Sequence, residues 1–103
     1  MAITMLTGNN FEEIIKKSKI PVIVDFYADW CQPCKRIVPS LEEIAAEKDG
    51  EVLVCKVNVD EDQELAIAHQ IMSIPYVISY KDGEVYKRVV GAVSKEELLD
   101  LVE

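Results

Sequence analysis

The chain has 103 residues, half of them hydrophobic, and its 19 acidic and 11 basic side chains give a formal net charge of −8. This length predicts a single domain over residues 1–103 with one buried core, and because phosphate backbones repel an acidic chain, we expect no nucleic-acid partner. The first residues have neither a basic lead nor a long apolar run, so we expect no signal peptide, no membrane span and a cytoplasmic location.

The first part of the chain alternates the patterns of strands and helices. Residues 3–6 predict a short strand, and Asn10 with Glu13 has the spacing of a capping box at the start of a helix. Residues 22–28 form a near-continuous apolar run, which is typical of a parallel strand covered on both faces. We therefore expect this second strand at the centre of a sheet.

A bent helix is predicted next. Apolar side chains recur at helical spacing from Ile37 to Ala45, and Gly50 ends the pattern. Pro39 lies inside this segment, where it removes one backbone hydrogen bond and bends the helix.

The second half of the chain continues with a strand over residues 52–59 and a short helix over residues 65–71. Strands over residues 76–80 and 85–90 flank an Asp-Gly pair, which predicts a tight antiparallel hairpin. Another capping-box spacing, at Ser94, starts a C-terminal amphipathic helix. The pattern predicts the α/β class, with a mixed five-stranded sheet flanked by four helices in the order β-α-β-α-β-α-β-β-α.

Cys31 and Cys34 lie between the central strand and the bent helix. If a helix begins near Cys31, both sulfurs share its first turn and can close a disulfide. Such a small ring removes little chain entropy, so its expected role is to open and close. Three cysteines are too few for a disulfide framework, which leaves a redox pair or a metal-binding pair, and we expect the redox pair.

Cys31 is the expected attacking thiol. An attacking cysteine must be exposed and must ionise below the free pKa of about 8.5, and a helix start supplies unpaired N–H groups and the positive end of the dipole. Lys35 and Arg36 add positive charge. Cys34, one turn into the helix, is expected to be less exposed and to act as the resolving thiol, while Pro33 limits the backbone freedom between the two cysteines.

Asp25 is the only charged residue in the central apolar run. Burial should raise its pKa, and it precedes Cys31 by a distance that predicts a position beneath the dithiol. There a water can connect it to Cys34, so that Asp25 takes the proton of that thiol. Lys56 is the expected charge partner. The alternative is that Asp25 turns toward solvent at the end of its strand.

Two other residues have simpler interpretations. Cys55, on an apolar strand, is expected to be a small buried hydrophobe, and His69 is expected to pack or to face solvent. A zinc site made by these two residues with Cys31 and Cys34 has separations that match no familiar zinc module, so we predict no metal.

The segment over residues 24–35, VDFYADWCQPCK, resembles the active-site segment of the thioredoxin family. The similarity continues, in the same order and at similar separations, at residues 56–60, 74–75, 81–83 and 90–92, and covers essentially the whole chain. The resemblance implies the thioredoxin fold. It also implies a thiol-disulfide oxidoreductase.

The resemblance assigns roles residue by residue. Cys31 becomes the attacking thiolate and Cys34 the resolving thiol of a redox disulfide, Asp25 with Lys56 becomes a buried proton-transfer pair, and Pro75 becomes a cis-proline against the dithiol. The implied substrate-binding surface, which pairs with an extended chain, consists of Trp30, Gln32, Pro33, Ile74, Pro75, Tyr76, Gly91 and Ala92.

Three residues depart from the family's usual pattern. Gln32 replaces the usual Gly between the cysteines, which leaves the redox potential open. Tyr76 stands where Thr commonly follows the cis-proline, so the groove is expected to prefer different partners. Tyr27 occupies a position often held by a second Trp and is expected to be a packing aromatic.

The resemblance implies a general protein disulfide reductase that holds no cofactor and receives electrons from a separate thioredoxin reductase. Its partners would be that reductase and disulfide-containing proteins, and we expect a monomer. Two alternatives stay open. One is an oxidase or isomerase, although Gln-Pro between the cysteines is closer to the reducing Gly-Pro than to the His-containing pairs of oxidising relatives. The other is a binding subunit in which the dithiol is incidental.

Overall fold

The protein is described here by a computed structural model that covers residues 3–103. These residues form five strands and five helical segments. In chain order they are β1 (Thr4–Met5), α1 (Phe11–Lys17), β2 (Val22–Tyr27), α2 (Gln32–Arg36), α3 (Val38–Glu47), β3 (Leu53–Asn58), α4 (Gln63–Ala68), β4 (Tyr76–Lys81), β5 (Glu84–Val90) and α5 (Lys95–Asp100). Within the same residues, no helix has the length and apolar content needed to cross a membrane.

The strands form one mixed sheet in the order β1-β3-β2-β4-β5. β2 pairs in parallel with β3 and antiparallel with β4, and β5 pairs antiparallel with β4. The first five residues of β2 are buried, as expected for a strand covered on both faces. The predicted class, the mixed five-stranded sheet and the central position of this strand are therefore confirmed.

Alternate side chains of β2 belong to two different cores. Val24 and Phe26 pack in the core that includes Phe11 of α1, with Leu65 of α4 against it. Ile23 packs on the other face, with buried residues of α3 and α5. Because side chains alternate along a strand, Asp25 lies on the same face as Ile23.

The bent helix is present, with its break earlier than predicted. α2 ends at Arg36, Ile37 separates the two segments, and α3 begins at Val38. Pro39 lies in the first turn of α3, where a missing N–H costs no hydrogen bond. α2 and α3 are therefore the two halves of the single bent helix that the sequence predicts, and this gives the expected four helices.

Two local turns explain further details. Asp82 and Gly83 both have positive φ, of 55° and 81°, as the predicted tight hairpin requires. Gln70 also has a positive φ of 58°, and α4 ends at Ala68, so the helix predicted over residues 65–71 is shorter than expected. Its C-terminal part instead turns the chain toward β4.

The two predicted capping boxes have different outcomes. The side chain of Ser94 accepts a hydrogen bond from the backbone N–H of Glu97, and the side chain of Glu97 accepts one from the backbone N–H of Ser94. The predicted capping box is therefore complete. Asn10 makes no side-chain cap to α1, and its Oδ1 accepts a hydrogen bond from the backbone N–H of Thr7 at 2.7 Å. The prediction at Asn10 is wrong because the preceding turn uses its side-chain oxygen.

Candidate active site

The junction between β2 and α2 positions the cysteine pair. Cys31 is the N-cap residue of α2, and its Sγ accepts a hydrogen bond from the backbone N–H of Cys34 at 3.1 Å. A proline lies in the first turn of this helix, where it is readily accommodated. The two cysteines form a disulfide with their Cα atoms 5.3 Å apart, so both sulfurs share the first turn as predicted.

The expected exposure of Cys31 is wrong for the disulfide form. Cys31 is 4% exposed and Cys34 is 2% exposed. Cys34 is therefore less exposed than Cys31, as predicted, but only by a small margin. The physical reason is tertiary: Ala28, Val59 and Ile74 pack around the disulfide, and the carbonyl oxygen of Ile74 lies 3.8 Å from the Sγ atom of Cys31. Val59 and Ile74 are distant from Cys31 in sequence, which is why a local pattern does not reveal the burial.

A groove of about 630 Å³ opens beside the disulfide. Cys31 contributes to its lining and Cys34 does not, so the groove leads to the first sulfur of the pair. Trp30, Gln32, Pro33 and Ile74, all predicted to bind substrate, also contribute to it. The remaining lining residues are Val59, Ala66, Ile71, Met72 and Ser73.

Trp30 is held at the rim of this groove by a hydrogen bond. Its side chain is 67% exposed, and its indole Nε1 donates to Oδ2 of Asp60 at 2.8 Å. The backbone N–H of Asp60 in turn donates to Oδ1 of Asn58 at 2.9 Å. The segment at the C-terminal end of β3 therefore fixes the orientation of the Trp30 side chain, which lies on the loop after β2.

The other predicted substrate-binding residues lie at the start of β4 and just after β5. The Ile74–Pro75 peptide bond is cis, as the resemblance implies. The carbonyl oxygen of Pro75 accepts a hydrogen bond from the backbone N–H of Gly91 at 2.8 Å, which brings Gly91 and Ala92 beside the start of β4. The hydroxyl of Tyr76 accepts a hydrogen bond from Arg88, and its half-buried ring packs against the core that α1 covers.

Asp25 is buried and its carboxylate is incompletely satisfied. The side chain is 2% exposed, and Oδ1 has no hydrogen-bond partner within residues 3–103. Burial raises its pKa from the ordinary 3.8 to about 7, and the positive charge of Lys56 opposes this rise. The alternative of a solvent-facing carboxylate at the strand end is therefore excluded.

Lys56 is the direct neighbour of Asp25 across the β2–β3 pairing. Its ammonium Nζ lies 5.2 Å from the ring centroid of Tyr27, so the ring also contacts this charge. The ion pairs found within residues 3–103 do not include one between Asp25 and Lys56. Lys56 therefore influences the carboxylate through its field rather than by direct contact.

The remaining candidates behave as packing residues. Cys55 is fully buried, and burial raises the pKa of its thiol to about 12. The ring of His69 packs among three aromatic rings, with centroids 4.9 Å from Phe11, 5.5 Å from Phe26 and 6.4 Å from Tyr80. In the described part of the chain, no three His, Cys, Asp or Glu side chains cluster as a metal site would require.

Comparison with known proteins identifies the family. The family model for thioredoxin matches residues 2–103. The chain belongs to the thioredoxin family. It is 44% identical to a thioredoxin of Staphylococcus saprophyticus, over the whole of this chain and 97% of that protein, and 47% identical to a thioredoxin of Mycolicibacterium smegmatis, over 95% of this chain and 89% of that protein. Spinacia oleracea has a chloroplastic M-type thioredoxin that is 42% identical over 95% of this chain and 54% of that protein.

Membership in the thioredoxin family, together with the bonded Cys31–Cys34 pair, makes the chain a protein thiol-disulfide oxidoreductase. Sequence reasoning missed Asp60 and the Ala66–Ile71–Met72 side of the groove. Asp60 lies two residues beyond the end of β3, and the carboxyl ends of the parallel strands β2 and β3 meet at the same edge of the sheet, so the pairing of these strands is the signal that leads to it. Met72 has no comparable signal, because the turn at Gln70 positions it.

Proposed function

We propose that the protein is a general protein disulfide reductase in which Cys31 starts the exchange and Cys34 completes it. The thiolate of Cys31 attacks one sulfur of the substrate disulfide, and the other substrate sulfur leaves as a thiolate. The sulfur of Cys34 then attacks Cys31 in the mixed disulfide and releases the second substrate thiol. Two electrons pass to the substrate, and the protein ends with the Cys31–Cys34 disulfide.

The position of Cys31 is the observation that supports Cys31 as the first sulfur to react and Cys34 as the second. It lines the groove, and its sulfur accepts the N–H of Cys34, a contact that favours the anionic form of a sulfur. No acidic side chain lies in the first turn of α2, whereas Lys35 and Arg36 lie in its last turn. The local charges therefore favour a thiolate at Cys31.

Asp25 is proposed to accept the proton of Cys34 during the second step. With its pKa raised to about 7, its carboxylate can gain and lose a proton near neutral pH. Its orphaned Oδ1 atom supports this assignment, because a buried oxygen without a fixed partner is free to take a proton. Lys56 is proposed to keep the pKa of Asp25 from rising further.

The docking surface is proposed to hold an extended segment of the substrate on either side of its half-cystine. An extended chain uses its backbone groups for pairing, which places little demand on its sequence. The residues assigned to this surface are Trp30, Gln32, Pro33, Ile74, Pro75, Tyr76, Gly91 and Ala92.

We further propose a cytoplasmic, single-domain monomer that holds no cofactor and is reduced again by a thioredoxin reductase. Thiol-disulfide exchange moves electrons through sulfur atoms alone, so it needs no bound redox group. The net charge of −8 favours a soluble monomer. The family supports the reductase and disulfide-containing proteins as partners.

A reductase-coupled insulin reduction assay tests the proposed function. The wild-type protein is expected to reduce insulin catalytically, and Cys31→Ser is expected to abolish turnover. A binding subunit would show no thiol-dependent turnover at all. An oxidase or isomerase would instead have a dithiol that equilibrates with glutathione at a higher potential than a reductase, so measuring that equilibrium separates the two directions.

A further inference from the structure

Two of the three most exposed large apolar side chains of residues 3–103 line the groove. Met72 is 91% exposed, Ile67 is 75% exposed and Trp30 is 67% exposed. Trp30 and Met72 line the groove, whereas Ile67 is not among its lining residues. Single exposed apolar residues are ordinary, but a group of them around one groove marks an interaction site.

The chain turn after α4 builds this side of the groove. The backbone N–H of Ile71 donates to the carbonyl oxygen of Ala66 at 3.0 Å, across the residue with positive φ, Gln70. This turn brings Ile71 and Met72 to the groove that also contains Cys31. Among the described lining residues none is charged and only Gln32 and Ser73 have polar side chains, so a charged side chain that entered would lose water without gaining an oppositely charged partner.

We propose that Met72, together with Ile71 and Trp30, selects disulfide partners that have a large aliphatic side chain two positions from the reacting half-cystine. This inference rests on the proposed function, because it takes Cys31 as the sulfur that the partner's cysteine must reach. In an extended segment, residues two apart point to the same side, about 6.7 Å from each other. The side chain two positions from the cysteine therefore enters the same groove.

Methionine suits this role. Its unbranched, polarizable side chain adapts to aliphatic groups of different shapes, which fits a protein that acts on several partners. Removing an aliphatic side chain from water in such a groove typically changes a rate by roughly tenfold or more. The partner class is thus defined by an apolar neighbour of the cysteine, rather than by a longer sequence motif.

Two peptide disulfides test the inference. Each peptide has one cysteine bonded to thionitrobenzoate, which is coloured when it is released. The peptides differ only at the two positions that lie two residues before and two residues after this cysteine, where one peptide has Leu and the other has Asn. The reduced wild-type protein is expected to react about tenfold faster with the Leu peptide. In Met72→Gln this ratio is expected to fall to about threefold or less, and Met72→Leu is expected to restore it.

Met5→Gln is the matched control, because Met5 is 41% exposed on β1 and is not among the groove residues. Its ratio is expected to equal that of the wild-type protein. Equal rates for the two wild-type reactions, or a ratio that Met72→Gln leaves unchanged, would overturn the inference while leaving the proposed function intact. Release no faster than with Cys31→Ser, for either peptide, would instead overturn the proposed function.

Discussion

Cys31 and Cys34 have the same chemistry and different surroundings. Cys31 caps α2 and borders the groove, whereas Cys34 lies inside the first turn and contributes its N–H to the sulfur of Cys31. Because Cys31 lines the groove and Cys34 does not, we propose that exchange begins at Cys31. Cys34 then needs no access to solvent, since its target is the neighbouring sulfur.

Replacing Cys34 with Ser is expected to trap substrates. Cys34→Ser keeps the attacking sulfur and removes the group that resolves the mixed disulfide, so partners should accumulate as covalent adducts of Cys31. Non-reducing gel electrophoresis of the variant with a disulfide-containing protein measures this. Cys31→Ser is the control, and adducts that form with this control alone would reverse the two roles.

Asp25 combines a buried carboxylate with a proposed proton-transfer role. Replacing it with Asn preserves its shape and removes its ability to take a proton. Asp25→Asn is therefore expected to slow the resolution of the mixed disulfide by roughly tenfold or more at neutral pH. The pH profile of turnover should also lose its inflection near pH 7, which is the value to which burial raises the pKa of Asp25.

Stopped-flow measurement of insulin turnover between pH 6 and pH 9 checks this expectation. Lys16→Met is a suitable control, because Lys16 is exposed on α1, on the opposite face of the sheet from Asp25. Rates of Asp25→Asn that match the wild-type rates across this pH range would contradict the proposed proton transfer.

At the scale of single elements, the capping box of α5 should be measurable. Ser94 and Glu97 satisfy N–H groups at the start of this helix, and Leu98 of the same helix is buried in the core. Ser94→Ala is expected to lower the free energy of unfolding by about 1 kcal/mol. Urea unfolding measures the change, and Ser94→Thr, which keeps the hydroxyl, should lose much less.

The two capping boxes show what a local pattern can and cannot predict. Asn10 and Ser94 have the same spacing to a glutamate, yet only Ser94 forms the cap. The difference arises because Thr7 lies where its N–H can bond to Asn10, and this depends on the turn after β1. Sequence spacing therefore predicts where a helix starts more reliably than which side chain caps it.

The active site follows the same rule. Cys31, Cys34 and Asp25 were predictable because each depends on a short pattern, namely a pair of cysteines after an apolar strand and one charge within that strand. The bond from Trp30 to Asp60 and the burial of Cys31 were not predictable locally, because they join the loop after β2 to segments near residues 60 and 74. Such contacts exist only once the strands have paired.

At the scale of the whole molecule, the sheet divides the core into two faces. The face covered by α3 and α5 contains Asp25 beside Ile23, while the other face packs against α1 and α4. The overall order of strands and helices was predictable from apolar periodicity and turn residues. The helix bounds at Ile37 and Ala68 were not predictable, because they depend on backbone torsions that the packing of the whole chain determines.

Burial of Asp25 should make the stability of the protein depend on pH. Because the pKa is about 7 in the folded protein and about 3.9 in the unfolded chain, the folded state binds more protons between these values, and stability falls as pH rises from about 4 to about 7. Asp25→Asn is expected to remove this loss. The variant should gain up to about 4 kcal/mol over the wild-type protein above pH 7, and little at pH 4.

Urea unfolding of the oxidised proteins at pH 4 and pH 8 measures this difference, and the disulfide keeps the two active-site thiols from titrating. An equal difference between variant and wild-type protein at both pH values would mean that the pKa of Asp25 is the same in the folded and unfolded states, contrary to the effect of its burial.

The central claim is that Cys31 is the reactive thiolate of the pair, and alkylation of the reduced protein tests it most directly. The protein is treated briefly with iodoacetamide over a range of pH, and mass spectrometry locates the modified cysteine. Modification of Cys31 before Cys34 and Cys55, already present below pH 8, is the predicted result. Modification of Cys34 first, or no reaction at Cys31 until pH rises above about 8.5, the pKa of a free thiol, would contradict the account.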